Sequence, residues 1–129
     1  MKSIIDDARG LHTEQGTGLE LDSVVTNSNI VNWNSSEDLA DGAAASLSVM
    51  TSFFATGGAE TSTLAAGSHT GQMKILSCST HGGNMVTTVS NPAWGGAGTI
   101  TFTAAGSSCM LIYLNALWHV VGSHAVTLG

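Results

Sequence analysis

Charge is what this chain has least of. Of its 129 residues, 3 are Lys or Arg and 9 are Asp or Glu, so 9% is charged where a soluble domain carries about 25%. Lys2, Arg9 and Lys74 cannot lay a basic track along a phosphate backbone, which excludes nucleic acid as a partner. Disorder is excluded from the other side, because unfolded chains combine low hydrophobicity with high net charge and this one has a mean hydropathy of +0.23. Long apolar runs are missing too, so no membrane-spanning helix is expected. Asp6 and Asp7 fall where a signal peptide would need its apolar core, so no export signal is expected. Cysteine occurs twice, at Cys78 and Cys109, in no metal-binding spacing. The pair reads as two buried, reduced thiols, with a cross-strand disulfide as the alternative.

What remains is enough for one core, since a chain of this length buries roughly two thirds of its extended surface. The residues from Met1 to Thr17 hold five of the twelve charged side chains, Lys2, Asp6, Asp7, Arg9 and Glu14. They show no sustained period and end in Gln15-Gly16-Thr17-Gly18, which predicts an N-terminal arm or short leading strand over 1–17 and a β-domain over 18–129. Beyond Gly18 the pattern alternates in steps of two. Ser46 to Phe54 puts Leu47, Val49 and Phe53 on one face of a strand and Ser46, Ser48 and Ser52 on the other. Gly98 to Thr103 sets three threonines against Ile100 and Phe102, and threonine both suits a pleated surface and supplies hydroxyls in place of charges.

Further strands are expected at Leu19–Thr26, Ile30–Trp33, Thr61–Ala65, Gln72–Ser79, Met85–Ser90, Cys109–Leu114, Leu117–Val121 and Ala125–Leu128. Glycine-rich turns separate them, among them Thr56-Gly57-Gly58, His81-Gly82-Gly83-Asn84 and Gly95-Gly96-Ala97-Gly98. Short strands at this spacing predict an all-β fold, an antiparallel β-sandwich or jelly-roll-like barrel with an extended N-terminal arm. Between Ser35 and Ala45 a single helical turn and a loop both fit. Cys109-Met110-Leu111-Ile112-Tyr113-Leu114 is apolar on both faces, so it needs cover on both sides, from the domain or from a neighbouring subunit. Uncovered, it would aggregate. Phe53, Phe54, Met110, Ile112 and Leu114 are therefore the candidate oligomer interface.

Chemistry-bearing groups are sparse. His12, His69, His81, His119 and His124 form no HxH, HxxxH or HExxH pair, so no metal site is expected. His119 alternates with Trp118 and Val120 and so points away from them. No nucleophile elbow accompanies the serines, and Glu37, Asp38 and Asp41 lie in a polar, turn-rich segment that reads as a solvated loop. The glycine-rich loops lack the Lys-Ser/Thr and following helix of a phosphate site. No cofactor and no enzymatic activity are expected. Trp94, with Asn91 and His81, is the candidate for a sugar contact; a lid closing one end of the domain is the competing role for Trp94, and Trp118 reads as core.

One run of residues carries a family resemblance. Gly71-Gln72-Met73-Lys74-Ile75 is followed by Gly83-Asn84-Met85-Val86-Thr87-Thr88-Val89 and Gly98-Thr99-Ile100-Thr101-Phe102. Ala105-Gly106-Ser107 and Leu111-Ile112-Tyr113-Leu114-Asn115-Ala116-Leu117-Trp118-His119-Val120-Val121-Gly122 complete it. This half of the chain resembles a module of virion structural proteins in tailed bacteriophages, especially cyanophages. It departs at Ala116, where that module has glycine, so a different turn or a strained one is expected. Among such proteins the chain is most similar to capsid decoration, or cement, proteins. The resemblance implies a homotrimer, made in the host cytoplasm, on the outer surface of the major capsid protein shell, opposing the pressure of packaged DNA. With so few cations and no long apolar run, neither nucleic acid nor a membrane is expected as a partner. The arm residues Lys2, Ile4, Ile5, Asp6, Asp7 and Arg9 are the expected capsid contacts. The alternative is a head-fibre or tail-fibre tip that binds cell-surface carbohydrate.

Overall fold

A computed structural model describes the strands Ser3–Asp6 and Gly10–Thr13 and residues 36–129. The chain divides into two units, Met1–Ile30 and Val31–Gly129. In the first, β1 (Ser3–Asp6) and β2 (Gly10–Thr13) form an antiparallel hairpin, with Ile4 opposite His12 and Ile5 opposite Leu11.

The second unit is all-β, with no helix among the described residues. Its strands are β3 (Ser36–Asp38), β4 (Ala44–Ala45), β5 (Thr51–Thr56), β6 (Glu60–Leu64), β7 (Met73–His81), β8 (Met85–Val89), β9 (Thr99–Phe102), β10 (Ser108–Leu114), β11 (Leu117–His124) and β12 (Val126–Leu128). They make two five-stranded sheets, ordered β11-β10-β7-β5-β3 and β12-β9-β8-β6-β4. From β3 to β8 each strand crosses to the other sheet, so the chain winds as three successive coils. A strand returning to its sheet after a full coil runs in its original direction, which makes β3, β5 and β7 parallel, and β4, β6 and β8 likewise. Then the chain reverses: β9 and β10 pair antiparallel with β8 and β7, and β12 and β11 close outside them.

Both sheets are therefore mixed, which corrects the purely antiparallel expectation. The coil has a sequence signature. Thr51–Leu64 and Leu76–Val89, 25 positions apart, both carry a strand, a Gly-Gly corner and a second strand, with Gly57-Gly58 matched by Gly82-Gly83 and Thr63 by Thr88. At that corner a Cβ on Gly83 would lie 2.3 Å from the Gly58 carbonyl carbon, so only glycine lets the two coils stack. Thr56 Oγ1 locks them by donating to the Gly83 carbonyl at 2.6 Å.

One core serves both sheets. Phe54, Leu76, Cys78, Cys109, Leu111, Tyr113 and Trp118 from the first meet Leu64, Met85, Val89, Ile100 and Phe102 from the second. The Phe54 and Phe102 rings meet edge-on at 5.0 Å. Trp118 is fully buried and its indole N–H donates to the Ala65 carbonyl at 2.9 Å. Cys78 and Cys109 are free thiols on this inner side, and burial raises both, Cys109 to about 11.

Several strands fall where the alternation places them, but the phase over 46–54 does not. Residues 47–50 bend rather than extend, and in β5 it is Ser52, Phe54 and Thr56 that point inward while Phe53 points out. A buried serine is tolerable here because its hydroxyl donates to Glu37. Neither a helical turn nor a plain loop occupies 36–45: β3 and β4 flank a turn at Asp41-Gly42, whose Asp41 Oδ1 accepts from Thr61 N at 2.9 Å. The expected strands Leu19–Thr26 and Ile30–Trp33 lie outside the described residues.

Candidate functional site

Strand register builds the outer face of the first sheet row by row. Thr51, Ile75 and Met110 are neighbours across β5, β7 and β10, as are Phe53, Ser77 and Ser108. In the next row Met73 and Ile112 lie beside His119 of β11, and Leu114 pairs with Leu117 at the corner. Alternation within each strand turns Cys109, Leu111 and Tyr113 inward and leaves Met110 and Ile112 half-buried on the outside. Phe53 and Leu114 are 37% and 38% exposed, high for large apolar side chains. The result is a continuous apolar field of Phe53, Met73, Ile75, Met110 and Ile112, rimmed by Ser36, Thr51, Ser77, Ser108, His119 and His124. Asp38, beside Phe53 at the β3 edge, is the one acid in these rows. An apolar centre with a polar rim is the anatomy of a protein interface.

The outer face of the second sheet has the opposite chemistry. Thr61, Val86, Thr101 and Thr127 lie side by side across β6, β8, β9 and β12, and Thr63, Thr88 and Thr99 form the row beside them. That grid is six threonines and one valine, so hydroxyls dominate it.

Lys74 is the group that sequence reasoning missed. It is 1% exposed, and its Nζ donates to the carbonyls of Ser46 at 2.7 Å and Val49 at 3.1 Å, with Glu37 Oε1 at 3.6 Å. Gln72, two residues earlier on the same inner face, donates to the Leu47 carbonyl at 2.8 Å and accepts from Ser68 N at 2.7 Å. The Gln-x-Lys spacing thus aims two long polar side chains at one irregular segment, 46–49, and satisfies carbonyls that no strand pairs. Glu37 also accepts from Ser46 N and the Ser52 hydroxyl. Burial alone would raise its carboxyl, but these hydrogen bonds and the Lys74 charge outweigh burial and lower it. For Lys74 burial dominates, and the ammonium is lowered despite Glu37. With three acceptors around it, this ammonium fixes the first coil to the second and third and is not presented to any substrate. The clue in the sequence was a lone Lys between apolar neighbours in a strand, in a chain almost without cations.

Burying Lys74 has a surface consequence. No Asp, Glu or Arg occurs after Glu60, so residues 61–129 present no such charge and no Lys to solvent.

The other candidate residues are placed as follows. Phe54 is fully buried beneath the apolar field and supports it from below, whereas Phe53, Met110, Ile112 and Leu114 lie on the face itself. His81 ends β7 and pairs with Asn84 at 3.1 Å, while Asn91 and Trp94 follow the far end of β8. Five strand residues, about 17 Å, separate the two ends, so the sugar-binding trio is not brought together. Trp94 packs on the core and its indole N–H donates to the Gly129 carbonyl at 3.2 Å, the arrangement of a lid. His119 sits opposite Ile112, turned away from Trp118. Ile4, Ile5 and Asp6 lie in β1; Lys2, Asp7 and Arg9 lie outside the described residues. Among the described residues no three His, Cys, Asp or Glu side chains gather as a metal site.

The chain matches no protein-family model and no curated protein.

Proposed function

We propose that this protein is a capsid decoration protein of a tailed bacteriophage, a non-enzymatic homotrimer bound to the outer surface of the major capsid protein shell. In this reading the two mixed sheets form a β-sandwich and the N-terminal hairpin belongs to the part that reaches the shell. The observation that carries it is the pairing of an apolar outer face with a surface free of Asp, Glu, Lys and Arg side chains from residue 61 onward. A free-standing domain spreads charge over its surface, whereas a tile of an assembly covers its apolar face with neighbours. Several weak contacts made at once by a trimer multiply in effective concentration, which suits a protein that holds a pressurised shell. The resemblance of residues 71–129 to phage virion modules supplies the choice of assembly.

The test is to image intact virions that incorporate the chain, with a gold-labelled antibody against it. Label over the capsid surface at threefold positions is expected. Label confined to fibres, or none on the particle, overturns the reading.

A further inference from the structure

Resting on that reading, we infer that the apolar field of Phe53, Met73, Ile75, Met110 and Ile112 lies along the trimer's threefold axis, where each copy's field is closed by those of its two neighbouring copies, and that the capsid is bound elsewhere. Chemistry selects the occupant. The rows that make the field carry one acid, Asp38, at their β3 margin and no Lys or Arg, so a partner here must be apolar and poor in charge. The second sheet's threonine grid does not match it; a second copy of the field does. Nor is the meeting opposed by like charge, since the acids of the second unit, Glu37, Asp38, Asp41 and Glu60, come from the first two coils and not from β7, β10 or β11. Edge-to-edge pairing is less suited, because β3 has only three residues and β11 is bridged at Trp118 by Pro92 on its outer side.

Area sets the strength. Four strands about 4.8 Å apart and about 20 Å long give a flat face near 400 Å². That is well below the roughly 800 Å² per partner of a stable interface, so the copies associate weakly and reversibly by themselves. On the shell, the additional contacts complete the assembly.

The experiment is sedimentation velocity of the full chain across the micromolar range, without capsids, alongside Ile112→Lys and Thr88→Lys. Wild type and Thr88→Lys are expected to shift from monomer toward trimer as concentration rises, and Ile112→Lys to lose at least tenfold in association. Each variant's thermal melt reports its folding. Because a lysine on a half-buried position can disturb the sheet, Met110→Cys and Thr88→Cys are oxidised in parallel. Cross-linked copies are expected from Met110→Cys alone. A wild type that stays monomeric throughout, equal loss in both lysine variants, or equal cross-linking at both cysteines overturns the inference.

Binding to purified heads separates the two claims. Self-association without head binding upholds the copy contact and rejects decoration; head binding by a monomer that Ile112→Lys abolishes assigns the field to the capsid and rejects the copy contact.

Discussion

The two sheets share one core and one winding, yet they face outward with opposite chemistry and are bound inward by different polar devices. Outside, the first sheet presents Phe53, Met73, Ile75, Met110 and Ile112, and the second a grid of threonines around Val86. Inside, the first sheet buries Lys74 against a half-buried Glu37, and the second a hydroxyl pair, Ser62 Oγ and Thr87 Oγ1 at 2.8 Å. Both faces follow the same period of two, so alternation alone does not decide what an outer face is for. The choice of outward residue does. Threonine gives the second sheet hydroxyls to meet water at no cost in charge, while the first sheet turns large apolar side chains outward.

The sharpest way to break the comparison is at the inner devices. Lys74→Ala leaves the Ser46 and Val49 carbonyls without a donor and Glu37 without its counter-ion, all under the first coil. A loss of about 3 kcal/mol is expected from denaturant midpoints, with the antiparallel half of the domain the last to open in hydrogen exchange. The same ion pair ties the first sheet to pH. Glu37 has a folded-state pKa below its unfolded value, so its contribution is full above the ordinary glutamate range and is lost as pH falls through the lowered pKa. Lys74 is also lowered, so between its folded and unfolded pKa values the unfolded chain holds more protons and stability rises with pH. Glu37→Gln is expected to remove Glu37's part of the acid limb in a pH series of unfolding midpoints; an unchanged limb would dissolve the assignment.

The hydroxyl pair of the second sheet predicts a smaller and different response. Thr87→Val strands the buried Ser62 hydroxyl and is expected to cost about 1–2 kcal/mol, whereas Thr87→Val combined with Ser62→Ala is expected to be nearly neutral. A double variant as damaged as Lys74→Ala would show that the two devices are equivalent after all.

Much of this division was legible before any coordinates. The Thr99-Ile100-Thr101-Phe102 alternation, the two-faced apolar run at Cys109–Leu114 and the core role of Trp118 follow from residue type and period. Two things were hidden. Parallel coiling leaves little mark on a single strand and shows only when Thr51–Leu64 is laid over Leu76–Val89, because direction is a property of the return and not of the strand. The phase of β5 was hidden because Ser52 and Phe53 exchange their expected sides: a serine goes inward when a distant Glu37 accepts its hydroxyl, and neither propensity nor hydropathy contains that partner. Lys74 failed to stand out for the same reason, since its three acceptors come from segments 25 to 37 residues earlier.

The smallest effects lie in the turns, where the sheets again differ. Before β9 the second sheet meets its left-handed positions with Asn91 at φ 57 and with three glycines, Gly95, Gly96 and Gly98, at φ 76, 66 and 70. The β10–β11 hairpin of the first sheet instead carries Asn115 and Ala116 at φ 51 and 61, the signs of a type I′ turn with an alanine where glycine is favoured. So the strained alternative holds. Gly98→Ala is expected to cost more than about 1 kcal/mol, because its Cβ would also meet Pro92 Cγ at 2.9 Å and the Val89 carbonyl oxygen at 3.0 Å. Ala116→Gly removes strain at an exposed tip, and a gain of about 0.5–1 kcal/mol in the unfolding midpoint is expected. Since Leu114 and Leu117 flank that tip on the apolar face, the gain should appear equally in the monomer and in the associated form. A gain confined to the associated form would mean that the hairpin bends on contact, and the first sheet would then be a surface shaped by its partner and not one prepared for it.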